Sequence, residues 1–116
     1  MATIRGYTTI EQSRKLAEIL PLESADMCYP RDAFAVSYDK EPVCHSCGGI
    51  GLALPAWSLV ALLGVLPYGY SSILTKSFNG KDYYCKIDGK PFETYADNPV
   101  DACYEMVIRL NKLKML

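Results

Sequence analysis

Pro55-Ala56-Trp57-Ser58-Leu59-Val60-Ala61-Leu62-Leu63-Gly64-Val65-Leu66-Pro67 is the stretch around which the rest of the chain has to be arranged. Between its two prolines, Ser58 carries the only side-chain oxygen. Proline is tolerated at the first helical position, where its missing N–H would have no partner anyway. Leu66 precedes Pro67 and is steered out of the helical region. The stretch therefore predicts a helix opened by Pro55 and closed at Leu66. A helix apolar on every side has to be wrapped by other elements, so this one is expected at the centre of the core.

No Asp, Glu, Lys or Arg occurs between Glu41 and Lys76. A charge-free run of that length raises the question of a membrane span. The helix that Pro55 permits is about 12 residues and ~18 Å long, short of the roughly 30 Å of a bilayer core. No membrane partner is expected. The first residues, Met1 to Gly6, lack the charged-then-apolar layout of a signal peptide.

The 116 residues suit a single domain, 1–116, able to bury its own core. Half of them are hydrophobic and 22% charged, a globular balance. A net charge of −1, with both signs mixed, gives no basic stripe to neutralise phosphates, so a nucleic-acid partner is not expected. Five cysteines do not make a secreted disulfide framework, and a reducing cytoplasmic setting is the natural expectation.

Thr8 with Glu11, or Thr9 with Gln12, has capping-box spacing and starts a first helix that Pro21 ends after Leu20. Ile10, Leu16, Ala17 and Leu20 form its apolar stripe. A loop is expected over 22–32, a strand from Ala33 to Tyr38, and a glycine-rich loop from Cys44 to Gly51. Asn79-Gly80 and Asp88-Gly89 are two-residue hairpin sequences, since both suit the positive φ of a type I′ turn. They define a three-stranded meander over about 70–78, 81–87 and 90–95, with Leu74, Cys85 and Phe92 abreast on one face. Tyr83 and Ile87 join that greasy face, whereas Thr75, Tyr84, Lys86 and Glu93 collect on the other beside Ile73 and Tyr95. Pro91 marks the last strand as an edge. Asn98-Pro99 opens a final helix, as cap and first residue, whose stripe is Val100, Cys103, Val107 and Leu110.

The one motif with chemical content is Cys44-x-x-Cys47 followed by Gly48-Gly49. A structural zinc needs four ligands, and no second pair exists, so a site would have to recruit His45 or some of Cys28, Cys85 and Cys103. Of these, Cys85 and Cys103 are better explained as small apolar core residues. Read as a redox pair, the motif lacks the helix N-terminus that lowers a thiol pKa, because two glycines follow it. The bland alternative is a loop with two thiols. His45 is the only histidine. Gly48-Gly49-Ile50-Gly51 has neither the lysine of a phosphate loop nor the rest of a dinucleotide fingerprint. No catalytic residue is nominated, no cofactor is required, and zinc is the one ion the cysteines would suit.

Nine tyrosines are the softer signal. Tyrosine gives large contact area at small rotamer cost, so a surplus can mark a recognition surface, although it also simply suits strands. Tyr84 and Tyr95, with Ile73, are the candidates for contact with a protein partner or a second copy.

Three segments together carry a resemblance: Thr8 to Leu16, Pro55 to Leu63 and Asp97 to Met106. They resemble a group of small proteins of gut Bacteroidales and their phages or mobile elements. That resemblance implies a bacterial or phage setting and no activity, and Cys44-x-x-Cys47 is not part of it.

The resulting expectation is an α+β domain of order α-β-α-β-β-β-α. Its small antiparallel sheet, the meander plus one further strand, is covered on one face by three helices. Functionally the expectation is a non-enzymatic interaction module. The alternative is a metal-binding or thiol-redox protein using Cys44 and Cys47.

Overall fold

A computed structural model describes residues 5–31, 37–38, 40–44, 53–66, 72–76, 82–87 and 93–115, with the side chains of Cys44, Ser72 and Ile73 outside the described set. Helix α1, Ile10–Ile19, is capped by Thr9, whose hydroxyl accepts from the Gln12 N–H while the Gln12 side chain accepts from the Thr9 N–H. Of the two registers open to the sequence, this is the second. The helix ends at Leu20, ahead of Pro21. Its core face is Leu16 and Leu20 with Ser13, whereas Ala17 is exposed. Ser13 tolerates burial because its hydroxyl bonds that of Thr8, at 2.7 Å.

A short 3-10 turn, Leu22–Ser24, leads to β1, Met27–Tyr29, where a loop was expected. Strands β2, Val43–Cys44, and β3, Leu54–Ala56, flank β1 antiparallel in the order β2-β1-β3. The α+β class holds, but there are two small antiparallel sheets rather than one. Most of the expected strand from Ala33 lies outside the described residues. Its last member, Tyr38, is not in a strand, and its ring sits beneath the guanidinium groups of Arg14 and Arg31.

The proline-bracketed stretch departs furthest from expectation. Pro55 lies in β3, opposite Cys28, rather than opening a helix. The sheet order makes β3 an edge, where a strand can lack one N–H. Helix α2 is only Leu59–Gly64, and Ser58 caps it by accepting from the Ala61 N–H. Trp57 and Leu62 are fully buried, but Val60 is 78% exposed and Leu63 36%. The helix is thus covered on one side only, and the expectation of a wholly wrapped core helix is corrected.

Strands β4, Ser72–Lys76, β5, Tyr83–Ile87, and β6, Glu93–Ala96, form the meander. Leu74 faces Cys85, the register a two-residue Asn79-Gly80 turn requires. The second hairpin differs: Cys85 faces Thr94, two places beyond Phe92. The described part of the strand is Glu93–Ala96, and Pro91 and Phe92 lie outside the described residues. A shift of two preserves the faces, so Thr94 joins Cys85 and Ile87 on the buried side. Thr94 then donates its hydroxyl to the Ala102 carbonyl at 2.6 Å.

Helix α3, Pro99–Lys112, is capped by Asn98, whose side chain accepts from the Val100 N–H at 2.8 Å. It buries Val100, Cys103, Val107 and Leu110, as its spacing predicts, and lies against the meander. Among the described residues α3 packs on all three strands of the meander, α2 packs on α3, and α1 packs on β3 and α3.

Candidate functional site

Strand β6 is an edge of its sheet, and beside it runs a groove of about 500 Å³ walled by α3 and the side of α1. Glu93, Tyr95, Asp101, Glu105, Arg109 and Gln12 line it. Arg109, in the last turn of α3, donates to the Glu93 carbonyl at 3.1 Å. A guanidinium thus occupies one carbonyl at the sheet edge, where charged groups commonly guard against unwanted strand pairing. Asp101 receives Arg5 as an ion pair and accepts from the Gln12 amide at 2.7 Å, which ties α1, α3 and the N-terminal segment together at one end of the groove.

Among the described residues Tyr95 is the most exposed aromatic, with 59% of its surface open. It stands opposite Tyr84, ring centroids 5.6 Å apart, and donates its hydroxyl to Glu93 at 2.6 Å. That hydrogen bond to a carboxylate raises the Tyr95 pKa above its ordinary value, with smaller contributions from burial and from Glu93 and Tyr84. The hydroxyl accordingly stays protonated as a donor. The two tyrosines nominated from sequence therefore meet, although the two-residue shift in β6 is what brings them face to face. The Ile73 side chain lies outside the described set. Sequence reasoning missed Arg109 and Asp101 as groove residues. Their i,i+4 and cap positions explained them locally, and nothing local shows a helix lying beside a strand edge.

Cys28 is in a disulfide whose other half lies outside the described side chains. A disulfide sulfur cannot serve as a thiolate ligand, so Cys28 is withdrawn as a candidate metal ligand. His45 and Cys47 lie outside the described residues, as does the Cys44 side chain. Among the described residues no group of three or more His, Cys, Asp or Glu is placed to hold a metal ion. Among them, too, no helix is long and apolar enough to cross a membrane.

No family model, no curated protein and no solved structure matches the chain. The resemblance of the helical segments to Bacteroidales and phage proteins stays an expectation.

Proposed function

We propose that the chain is a non-enzymatic interaction module that meets a protein partner, or a second copy of itself, through the β6 edge and its exposed tyrosine. One observation carries this reading: Tyr95 is largely open to solvent yet held on two sides, by the Tyr84 ring and by the Glu93 carboxylate. An aromatic already fixed in place loses little side-chain entropy when a partner covers it. Such residues are enriched where binding energy concentrates.

The thiol form of the alternative is favoured by the Cys28 disulfide, which shows oxidised sulfur beside the segment carrying Cys44. The same bond favours an oxidising compartment over the reducing cytoplasm expected from composition.

The test is a photo-crosslinking residue in place of Tyr95, with one in place of the exposed Lys112 as control, in cells of the native host. Sedimentation of the purified protein over a wide concentration range accompanies it. Specific adducts from position 95, absent from position 112, or self-association weakened by Tyr95→Ala, support the module. A concentration-independent monomer that gives no adduct from position 95 overturns it.

A further inference from the structure

Arg14 and Arg31 share one aromatic ring. The Arg14 guanidinium carbon lies 5.7 Å from the centre of the Tyr38 ring, and that of Arg31 lies 5.2 Å from it. Arg14 is an exposed residue of α1, whereas Arg31 is half-buried and follows β1 by two residues. The ring itself packs against the smaller apolar cluster of Tyr29, Leu54 and Ala56, which holds it as a platform. Among the described residues neither guanidinium has a carboxylate partner, and the one ion pair there joins Arg5 to Asp101. Glu11 and Glu18, each about a turn from Arg14 along α1, do not pair with it. The Arg31 Nε is buried and, among the described residues, is the one buried side-chain nitrogen or oxygen without a hydrogen bond.

Two like charges on one ring repel, and each makes the other costlier to hold. Contact with the ring face returns part of that cost. It leaves the N–H donors uncommitted, because they lie in the guanidinium plane and not along the line to the ring. A donor on a charged group, buried with no acceptor, adds a desolvation cost of its own. An anion held by both side chains removes the repulsion and supplies the acceptors.

We propose that Arg14 and Arg31, mounted on Tyr38, bind a phosphate dianion, free or as the monoester of a small molecule. Charge selects this class. A phosphate monoester carries about −1.5 to −2 at pH 7, enough for both guanidiniums, whereas a carboxylate neutralises one. Geometry fits it as well, since an arginine fork matches two oxygens of one phosphate. Arg31 turns about its terminal torsions and brings its Nε–H and one Nη–H out to two phosphate oxygens. Arg14, already exposed, donates its Nη–H groups from the other side. None of the three residues lines the β6 groove, so the site stands independently of the interaction-module reading.

The test is an NMR titration of isotope-labelled full-length protein that follows the Nε–H signals of Arg14 and Arg31. Inorganic phosphate and glycerol phosphate are the probes, and acetate is the monoanion control. At least one probe is expected to move both signals along a single saturable curve with a Kd of about 1 mM or below. Acetate is expected to bind at least about tenfold more weakly. Tighter binding of glycerol phosphate supports the monoester as the source, and equal binding of the two probes supports free phosphate. Arg14→Gln and Arg31→Gln are each expected to weaken binding at least about tenfold, while Lys112→Gln leaves it unchanged. No saturable movement below about 20 mM of either probe overturns the proposal. Acetate binding as tightly as phosphate does so too, as does undiminished affinity in Arg31→Gln. The titration of the unaltered protein is decisive by itself, so a variant that fails to fold leaves the test intact.

Discussion

Thr8 and Trp57 are bonded to each other twice: the Thr8 N–H donates to the Trp57 carbonyl at 2.9 Å, and the Trp57 N–H donates to the Thr8 hydroxyl oxygen at 3.1 Å. The segments carrying Ser24 and Tyr29 are joined to this exchange. Tyr29 donates its hydroxyl to the Thr8 carbonyl at 2.6 Å, and the Trp57 indole N–H donates to the Ser24 hydroxyl at 2.9 Å. The N-terminal segment thereby runs alongside the chain between β3 and α2, continued by the Leu59 N–H to the Gly6 carbonyl. The indole sits fully buried with its polar edge satisfied, the condition under which tryptophan enters a core without cost to hydrogen bonding.

Thr8→Val keeps the shape of the side chain and removes its oxygen. The buried Trp57 N–H is left without a partner, and Ser13 loses the bond that justifies its burial. The expected cost is about 1–3 kcal/mol, read as a lower urea midpoint with an unchanged slope. Emission of the single tryptophan follows the transition. A loss below about 0.5 kcal/mol, the level of an ordinary surface change, would mean that the exchange does not hold the segment.

Two substitutions in α2 separate the wrapped helix expected from composition from the one-sided helix observed. Val60→Lys falls on the open side and is expected to change stability by less than about 0.5 kcal/mol. Leu62→Ala falls on the buried side and is expected to cost about 2–5 kcal/mol. Equal and large losses at both positions, measured by chemical denaturation, would restore the fully covered helix.

Tyr29 gives a pH dependence whose sign is set by burial. Loss of solvent around its hydroxyl raises its pKa above the ordinary value of about 10. Tyr7 adds to that rise and Arg5 partly opposes it. A group whose folded pKa is raised contributes stability that is complete below its unfolded pKa and disappears as pH climbs through the folded one. Stability is therefore expected to be flat with respect to Tyr29 up to about pH 10 and to fall above it. Tyr29→Phe removes that component of the alkaline decline, at the expense of the bond to Thr8. Ultraviolet titration of tyrosinate, run beside circular dichroism, checks this. Ionisation of every tyrosine with no loss of fold would contradict it.

The parts of the fold legible in the sequence are those decided within a few residues of chain. The Thr9–Gln12 capping box, the stop at Pro21, the Asn98-Pro99 helix start and the register across Asn79-Gly80 all follow from local hydrogen bonding and allowed backbone angles. Of the candidate site, Tyr84 and Tyr95 could be placed on one sheet face by alternation alone. Their direct pairing could not, because Asp88-Gly89 suggests a shorter connection than the one that sets β6.

The apolar pattern by itself determined that Trp57, Leu62 and the α3 stripe would be buried, and that the chain would fold as α+β. Only the tertiary structure decided that Pro55 would pair with Cys28 in a second sheet, that Val60 would face outward, and that Arg109 would reach the β6 edge. The physical reason is a difference of range. Caps and turns are satisfied by neighbours a few residues away, whereas burial and strand pairing depend on which surface arrives from elsewhere in the chain. Hydrophobicity states that a side chain gains from a partner without naming one.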